Sequence, residues 1–546
     1  MKPRRSQVSI GQENLFQSRL DQQLNLKHPL VRLAQQIDWS YFEREFGALY
    51  AESVGAPAIP TRLMVGLHYL KHAYNESDES VVGKWIENPY WQYFCGYEFF
   101  QHELPCHPTS LVKWRQRLKA DGVEKLLKEI LAAAVRTDAL DEKDLQCVVV
   151  DTTVQEKAIA FPTDSRLYQK AREAVVRQAQ KEGVKLRQSY KRVGKKALYN
   201  QSRYARASQF NRARKQQRKL KTFLGRVLRE VERKLPEPSE KLKQLLTNAQ
   251  RIHTQKRDDK NKLYSLHAPE VECIAKGKAH KKYEFGCKTS LAITTRSNWI
   301  VATNAHHGNP YDGATLKPTI DQIERLTGVR PKKTIVDRGY RGKEHHPENV
   351  QVHIAGQHKA RGVLKKLLKR RNAIEPVIGH GKHDHGLERN HLKGQEGDRI
   401  NALLSGCGFN LRKLLRAFSC ALRTWLSEIV FKLNTEPHRL TGDFTATRQY
   451  FFRDDEIADA FLRAQQLNVG VRVCFLFEQA FEFRNLQVEL REQIEQLSSQ
   501  QVLHIVHFAS LECGLKDQVF DVAFWQAATV RQSLQAVVSL RALADE

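Results

Sequence analysis

Apolar and polar positions change their spacing several times along this chain, and the changes mark out its elements. In Thr61-Arg62-Leu63-Met64-Val65-Gly66-Leu67-His68-Tyr69-Leu70 the apolar side chains recur at helical spacing. Ser77-Asp78-Glu79-Ser80 offers N-cap candidates before Val81-Val82-Gly83-Lys84-Trp85-Ile86. A further helix opens at Pro108-Thr109-Ser110 and runs through Leu111-Val112-Lys113-Trp114-Arg115-Gln116-Arg117-Leu118. Residues 1–140 therefore read as an all-helical N-terminal domain.

At Cys147-Val148-Val149-Val150 the pattern becomes a continuous β-branched run, which predicts a short buried strand ending at Asp151. A second run, Thr334-Ile335-Val336, stops at Asp337. Tyr283 to Thr295 and Trp299 to Thr303 predict a strand pair across the turn Arg296-Ser297-Asn298. Thr315 to Leu326 has helical amphipathicity and ends near Gly328, and Val350 to Ile354 predicts another strand. A basic helix follows from Arg361 to Arg371, then helix-rich sequence from Ile400 to Leu433. This order predicts an α/β fold over residues 141–434, a mixed sheet with flanking helices. Residues 165–270 interrupt it with helical hairpin material, broken near Gly183 and Gly194. A second helix there, Phe223 to Leu235, stops at Pro236-Glu237-Pro238.

Charge sharpens this division. The 546 residues carry a formal net charge of +28, with a pI of 9.7. Residues 435–546 are net −6 and the rest net +34, so the acidic C-terminal extension reads as a separate segment. Its stretch from Glu478 to Leu497 has helical periodicity, and a dimerisation module or a chance extension of the reading frame both fit it. The basic part favours a polyanion, namely DNA, RNA or an anionic membrane surface. No apolar stretch approaches the roughly 18–20 residues needed to span a bilayer. Met1-Lys2-Pro3-Arg4-Arg5 leads into polar sequence without a signal core. The nine cysteines lack any C-x-x-C pair, which suits reduced thiols in a cytoplasmic protein.

From Arg166 to Lys221 there are 19 Lys/Arg against two acids, with Tyr190, Tyr199, Tyr204 and Phe210 interleaved. Like charges so unbalanced repel one another, so phosphate contact is the expected use, with Lys195, Lys196, Arg212, Arg214 and Lys215 as candidates. In the N-terminal domain Lys113, Arg115 and Arg117 share one helix, as in a helix-turn-helix-like DNA reader. A solvated basic face would look the same.

Three carboxylates stand out against this cationic body. Asp151 and Asp337 each follow a strand-like run, and Glu375 sits in Arg371-Asn372-Ala373-Ile374-Glu375, seven residues before Lys382. Two ions about 3.5–4 Å apart can stabilise the attacking and leaving oxygens of phosphoryl transfer, and carboxylates from neighbouring strands suit such ions. On a helix Arg371, Glu375 and Lys382 would share one face, placing cations beside the acid. Pro376 follows Glu375 directly, so Glu375 lies near a helix start or the helix bends there. His380, His383 and His385 offer a competing zinc-like spacing, or are surface histidines. Tyr340 and Trp299 could stack on bases or fill the core.

With Val150-Asp151-Thr152-Thr153-Val154-Gln155-Glu156-Lys157, Val336-Asp337-Arg338-Gly339-Tyr340-Arg341-Gly342 and the Arg371–Glu375–Lys382 spacing, the chain resembles a bacterial insertion-sequence transposase of the DDE type. It is similar to the group with an R-(3)-E-(6)-K signature, of the insertion sequence family five type. Asn390-His391-Leu392-Lys393-Gly394 and Asn410-Leu411-Arg412-Lys413-Leu414 extend the likeness, which spans about residues 10–425. The resemblance implies an RNase H-like catalytic domain and two Mg²⁺ ions, replaceable by Mn²⁺, on Asp151, Asp337 and Glu375. It implies cutting at the element's terminal inverted repeats and joining of the freed 3′-OH to target DNA. Arg371 and Lys382 would hold the DNA end, with Arg338 and Tyr340 nearby. It further implies a nucleoid-associated protein, dimeric or larger when two ends are joined. The group often has Tyr three places before the Arg, where this chain has Leu368. A catalytically inactive, domesticated DNA-binding protein and an RNA-directed nuclease of the same fold are the rival readings.

Overall fold

The computed structural model describes residues 18–435, except 52–56, 257, 276–281 and 357–360, and side chains to Phe418 apart from those at 363 and 364. The acidic extension beyond Thr435, with the expected helix from Glu478, lies outside the described residues.

Seven helices open the fold: α1 (Leu20–Gln23), α2 (Pro29–Gln36), α3 (Trp39–Gly47), α4 (Thr61–Ala73), α5 (Asp78–Glu87), α6 (Pro89–Phe94) and α7 (Thr109–Arg136). Ser77 caps α5 reciprocally: its hydroxyl accepts from Ser80 N at 2.9 Å, and Ser80 Oγ accepts from Ser77 N at 2.7 Å. Asn88 caps α6, and Pro89 takes the first position, where a missing N–H costs nothing. The amphipathic stripe expected on α4 proves to be part of a helix buried nearly all round, from Leu63 to Leu70, because α3, α5, α6 and α7 surround it. α7 kinks at Lys119, where φ is 56° and ψ is −172°.

The sheet comprises β1 (Cys147–Glu156), β2 (Glu272–Ala275), β3 (Tyr283–Thr294), β4 (Ile300–His306), β5 (Lys333–Val336) and β6 (Gln351–Ile354). β1 pairs antiparallel with β3 and parallel with β5; β6 pairs parallel with β5; β2 and β4 share the other edge of β3. Val148 and Val150 face the core that α7 and α12 (Leu316–Thr327) help to build, and Val149 faces the opposite core with Ile374 and Val377. Burial on both faces explains why the valine run does not alternate. This is the mixed α/β architecture expected, a curled mixed sheet flanked by helices beside a helical N-terminal region.

Between β1 and β2 the insertion forms α8 (Asp164–Lys181), α9 (Lys191–Arg206), α10 (Phe210–Lys234) and α11 (Glu240–Thr254) around a core of its own that includes Leu167, Val175, Leu224, Leu228, Leu242 and Ile252. Gly194 does not break a helix, contrary to expectation; it lies within α9. A Cβ there would come 2.7 Å from Gln169 Oε1, so glycine lets α9 close onto α8. α10 starts at Phe210, thirteen residues before the expected Phe223, because its Leu220–Leu224–Val227 stripe continues a basic first half that carries few apolar cues.

After β6 come α13 (Gly362–Arg370), a 3₁₀ turn (Arg371–Ala373), α14 (Ile374–Asp384) and α15 (Gly394–Thr435). Asn410 on α15 grips the edge of β4: its amide accepts from Ile300 N at 3.1 Å and donates to Ile300 O at 2.8 Å.

Candidate active site and DNA-contact surfaces

Asp151 is not at a strand end, as the sequence pattern suggested. β1 runs five residues further, still paired with β3. The parallel register Cys147 with Lys333, Val148 with Thr334 and Val149 with Ile335, continued two residues, sets Asp151 beside Asp337. Asp151 then faces the side of the sheet that α14 covers, as Val149 does. Asp337 caps the next turn, its Oδ1 accepting from Gly339 N at 2.8 Å.

Glu375 comes from the third direction. α14 begins at Ile374, so Glu375 and Pro376 occupy its first turn, which resolves the two options left by Pro376. The segment before it is pinned by Arg370, which donates to Thr295 O at 2.7 Å and Arg296 O at 3.0 Å. Arg371 then reaches both acids: Nη2 donates to Asp151 Oδ2 at 2.8 Å and Nη1 to Glu375 Oε1 at 2.6 Å. One guanidinium thus joins carboxylates 224 residues apart in the chain. Its Nε, buried, has no hydrogen-bond partner among the described residues. Lys382 is half-buried further along α14, and Arg338 is exposed beside Asp337.

A fourth carboxylate, Asp312, belongs to the same corner and was missed. Thr152 Oγ1 donates to Asp312 Oδ1 at 3.0 Å, and Lys288 Nζ donates to the same oxygen at 2.9 Å. A Cβ on Gly339 would lie 3.0 Å from both Asp312 Oδ2 and Asp337 Oδ1, so these oxygens flank one backbone position. Only its place in Asn309-Pro310-Tyr311-Asp312-Gly313, a turn-rich stretch between strand and helix, could have flagged it.

Two expected DNA contacts are corrected by burial. Arg115 is 3% exposed and bidentate to Asp78, at 2.9 and 2.5 Å, so its guanidinium is already used. The pair holds Asp78 below the usual carboxylate range, through Arg115 and Lys71 acting against its own burial. Tyr340 is 0% exposed and cannot stack on a base. Burial, and then the charge of Asp151, drives its hydroxyl pKa well above the ordinary value. Lys113 stays exposed, and exposed Arg117 lies 4.7 Å over the Tyr50 ring. Trp299 fills the core, giving Nε1 to Ala139 O.

The histidines near Lys382 do not converge. His385 Nδ1 meets His72 O at 2.8 Å in the interior, His380 pairs with Asp384 and His383 with Glu388. On the insertion, seventeen of the nineteen cations between Arg166 and Lys221 are exposed, including Lys195, Lys196, Arg212, Arg214 and Lys215. Tyr199 and Phe210 are exposed among them, 66% and 60%, and Tyr204 lies between Arg203 and Arg212. No helix among the described residues is long and apolar enough to cross a membrane.

Comparison with known proteins matches two parts of the chain to transposase families. Residues 18–117, which contain α1 to α6, match the family described as "Transposase domain (DUF772)", and residues 248–411 match "Transposase DDE domain". A Rhizobium meliloti protein described as "Uncharacterized protein ORF8 in nfe locus" is 53% identical over 207 residues, which is 38% of this chain and all of that protein. No solved structure matches.

Proposed function

We propose, for a chain that belongs to the DDE transposases, that it cuts the ends of an insertion sequence and joins them to target DNA, using Asp151, Asp337 and Glu375. The observation that carries this is the Arg371 fork, which holds Asp151 and Glu375 together where the register brings Asp337 alongside. The donor set is all carboxylate oxygen, the kind that hard divalent ions take, so these residues would hold two Mg²⁺, with Mn²⁺ as a substitute. Such ions, when bound, supply charge at the attacking and leaving oxygens.

The chain's own groups do the rest. Arg371 offsets the repulsion between two carboxylates. Lys382 and Arg338 add cations around the DNA end. Asp312 shares the corner with Asp337 and fixes Lys288 at its rim. The helices of residues 1–140 would read the element end through Lys113 and Arg117, and the basic insertion would clamp phosphates. Joining two ends calls for a dimer or a larger assembly.

The test uses labelled DNA from the sequences flanking the gene, with Mg²⁺. Asp151→Asn should bind as the unaltered protein does while nicking drops by roughly 10³-fold, the scale for loss of a group that acts at the transition state. Nicking that survives would remove Asp151 from the mechanism. A gel shift without nicks by the unaltered protein would favour the domesticated binder.

A further inference from the structure

Away from the carboxylate corner, three elements bring a different donor set together in the interior. Cys287 on β3, His307 just after β4 and Asp398 near the start of α15 offer ligand atoms that all lie within 4.8 Å of one another. Cys287 is 1% and Asp398 3% exposed. Both ring nitrogens of His307 are buried and neither makes a hydrogen bond among the described residues. Yet each faces a carboxylate: Nε2 is 3.7 Å from Asp398 Oδ2 and Nδ1 is 3.8 Å from Glu272 Oε1.

Those separations are too long for hydrogen bonds. A gap of 3.7 Å is near what an ion leaves when it stands between the two atoms. With a nitrogen about 2.0–2.1 Å and an oxygen about 2.0–2.2 Å from a four-coordinate zinc, the two ligands lie roughly 3.3–3.5 Å apart, so the pair need close by only a few tenths of an ångström to hold the ion. The carboxylates are already oriented for this. Asp398 uses Oδ1 to accept from Lys157 Nζ at 2.7 Å and Asn390 Nδ2 at 2.6 Å, which leaves Oδ2 toward the imidazole. Glu272 accepts from Gly308 N and Asn309 N and stands behind the far ring nitrogen. A carboxylate behind a ligating histidine is the usual outer partner of a zinc site.

We propose that Cys287, His307 and Asp398 bind one zinc-class divalent cation, with Glu272 facing the other ring nitrogen of His307. A thiol, an imidazole and one carboxylate select a softer ion than the all-oxygen corner of Asp151, Asp337 and Glu375. The two sites therefore take different metals. The position suggests what this one does. Lys157 follows β1 where the insertion departs, and it pairs with Glu270, where the insertion returns, at 2.9 Å and with Asp398 at 2.7 Å. An ion on Asp398 and His307 ties the root of the basic insertion to the sheet and to α15.

The experiment uses the full chain, stripped with a chelator and titrated with Co²⁺ and, separately, Zn²⁺. One equivalent of Co²⁺ should give a near-ultraviolet thiolate-to-cobalt band, and one equivalent of Zn²⁺ should raise the melting temperature by several degrees. Cys287→Ser should lose the band, and His307→Ala should weaken Zn²⁺ binding about tenfold or more. Magnesium at the carboxylate corner has no sulfur ligand and gives no such band. Absence of both the band and the melting shift in the unaltered chain would overturn the proposal. So would an equal band in Cys287→Ser, which would place the ion on another of the nine cysteines.

Discussion

Arg115 is held inside the protein and Arg371 half-buried, each with both its amino groups on carboxylates, whereas Lys195, Lys196, Arg212, Arg214 and Lys215 of α9 and α10 stand in water with few partners. All carry the same formal charge, and on the sequence they look alike. The difference lies in what the surroundings have already done. Away from water a cation is costly unless paired, so it becomes part of the architecture and fixes where acids sit. In water it is screened, cheap and available, so it gives affinity for a polyanion rather than geometry. The carboxylate corner carries the first kind of charge and the insertion the second.

The largest effect that would sharpen this contrast lies in the N-terminal helices. Arg115→Ala leaves Asp78 nearly buried with only Lys71 beside it, and should destabilise the fold by about 3 kcal/mol. Lys113→Ala, two residues away and exposed, should change stability by less than about 0.5 kcal/mol. Denaturant titration of both variants checks the pair. Equal losses would mean that burial is not what separates these cations.

Next in size is the insertion. Reversing Lys195, Lys196, Arg212, Arg214 and Lys215 to Glu should weaken DNA binding roughly 10–100-fold near 0.1 M salt and flatten the plot of log affinity against log salt by about four units. Nicking at saturating DNA should not change, because none of the five touches the carboxylate corner. An unaltered salt slope would show that the α9–α10 surface does not meet phosphate.

A third effect is a pH dependence, gradual in any one pH unit. His68, 0% exposed and beside Arg115, is pushed down to about 3 by burial and then by that guanidinium. Its folded pKa lies below its unfolded value, so between about pH 6.5 and 3 the unfolded chain binds the extra proton. Stability should then fall as pH drops through that window, by up to roughly 1 kcal/mol per pH unit from this one group. Asp78, also depressed, pulls the same way at still lower pH. Melting curves from pH 7 to 4 should show the loss, and His68→Gln should make it shallower; a steeper curve in the variant would reverse the assignment.

Much of the α/β part was legible because its cues are local. The valine run before Asp151, the Thr334-Ile335-Val336 run, the turn Arg296-Ser297-Asn298 and the Gly328 helix stop all appear where the residue pattern put them. Gly328 ends α12 at φ 73°, a conformation that costs glycine nothing. Asp312 was not legible, since its role comes from Thr152 and Lys288, which are 160 and 24 residues away. Arg115 and Tyr340 were misread for the same reason: a one-dimensional pattern shows a basic or aromatic side chain but not which side of it is water.

The order of residues alone determined the kinds of element, the division into helical, sheet-bearing and strongly basic stretches, and the three acids with their Arg–Glu–Lys spacing. Those follow from backbone preference, side-chain period and composition, which act over a few residues. Tertiary structure alone decided that Asp151 lies inside β1 beside the end of β5, that Arg371 bridges it to Glu375, that Asp312 joins them, and that Arg115 is spent on Asp78. Distances between side chains far apart in the chain, and the water each one keeps or loses, are set only when strands and helices pack.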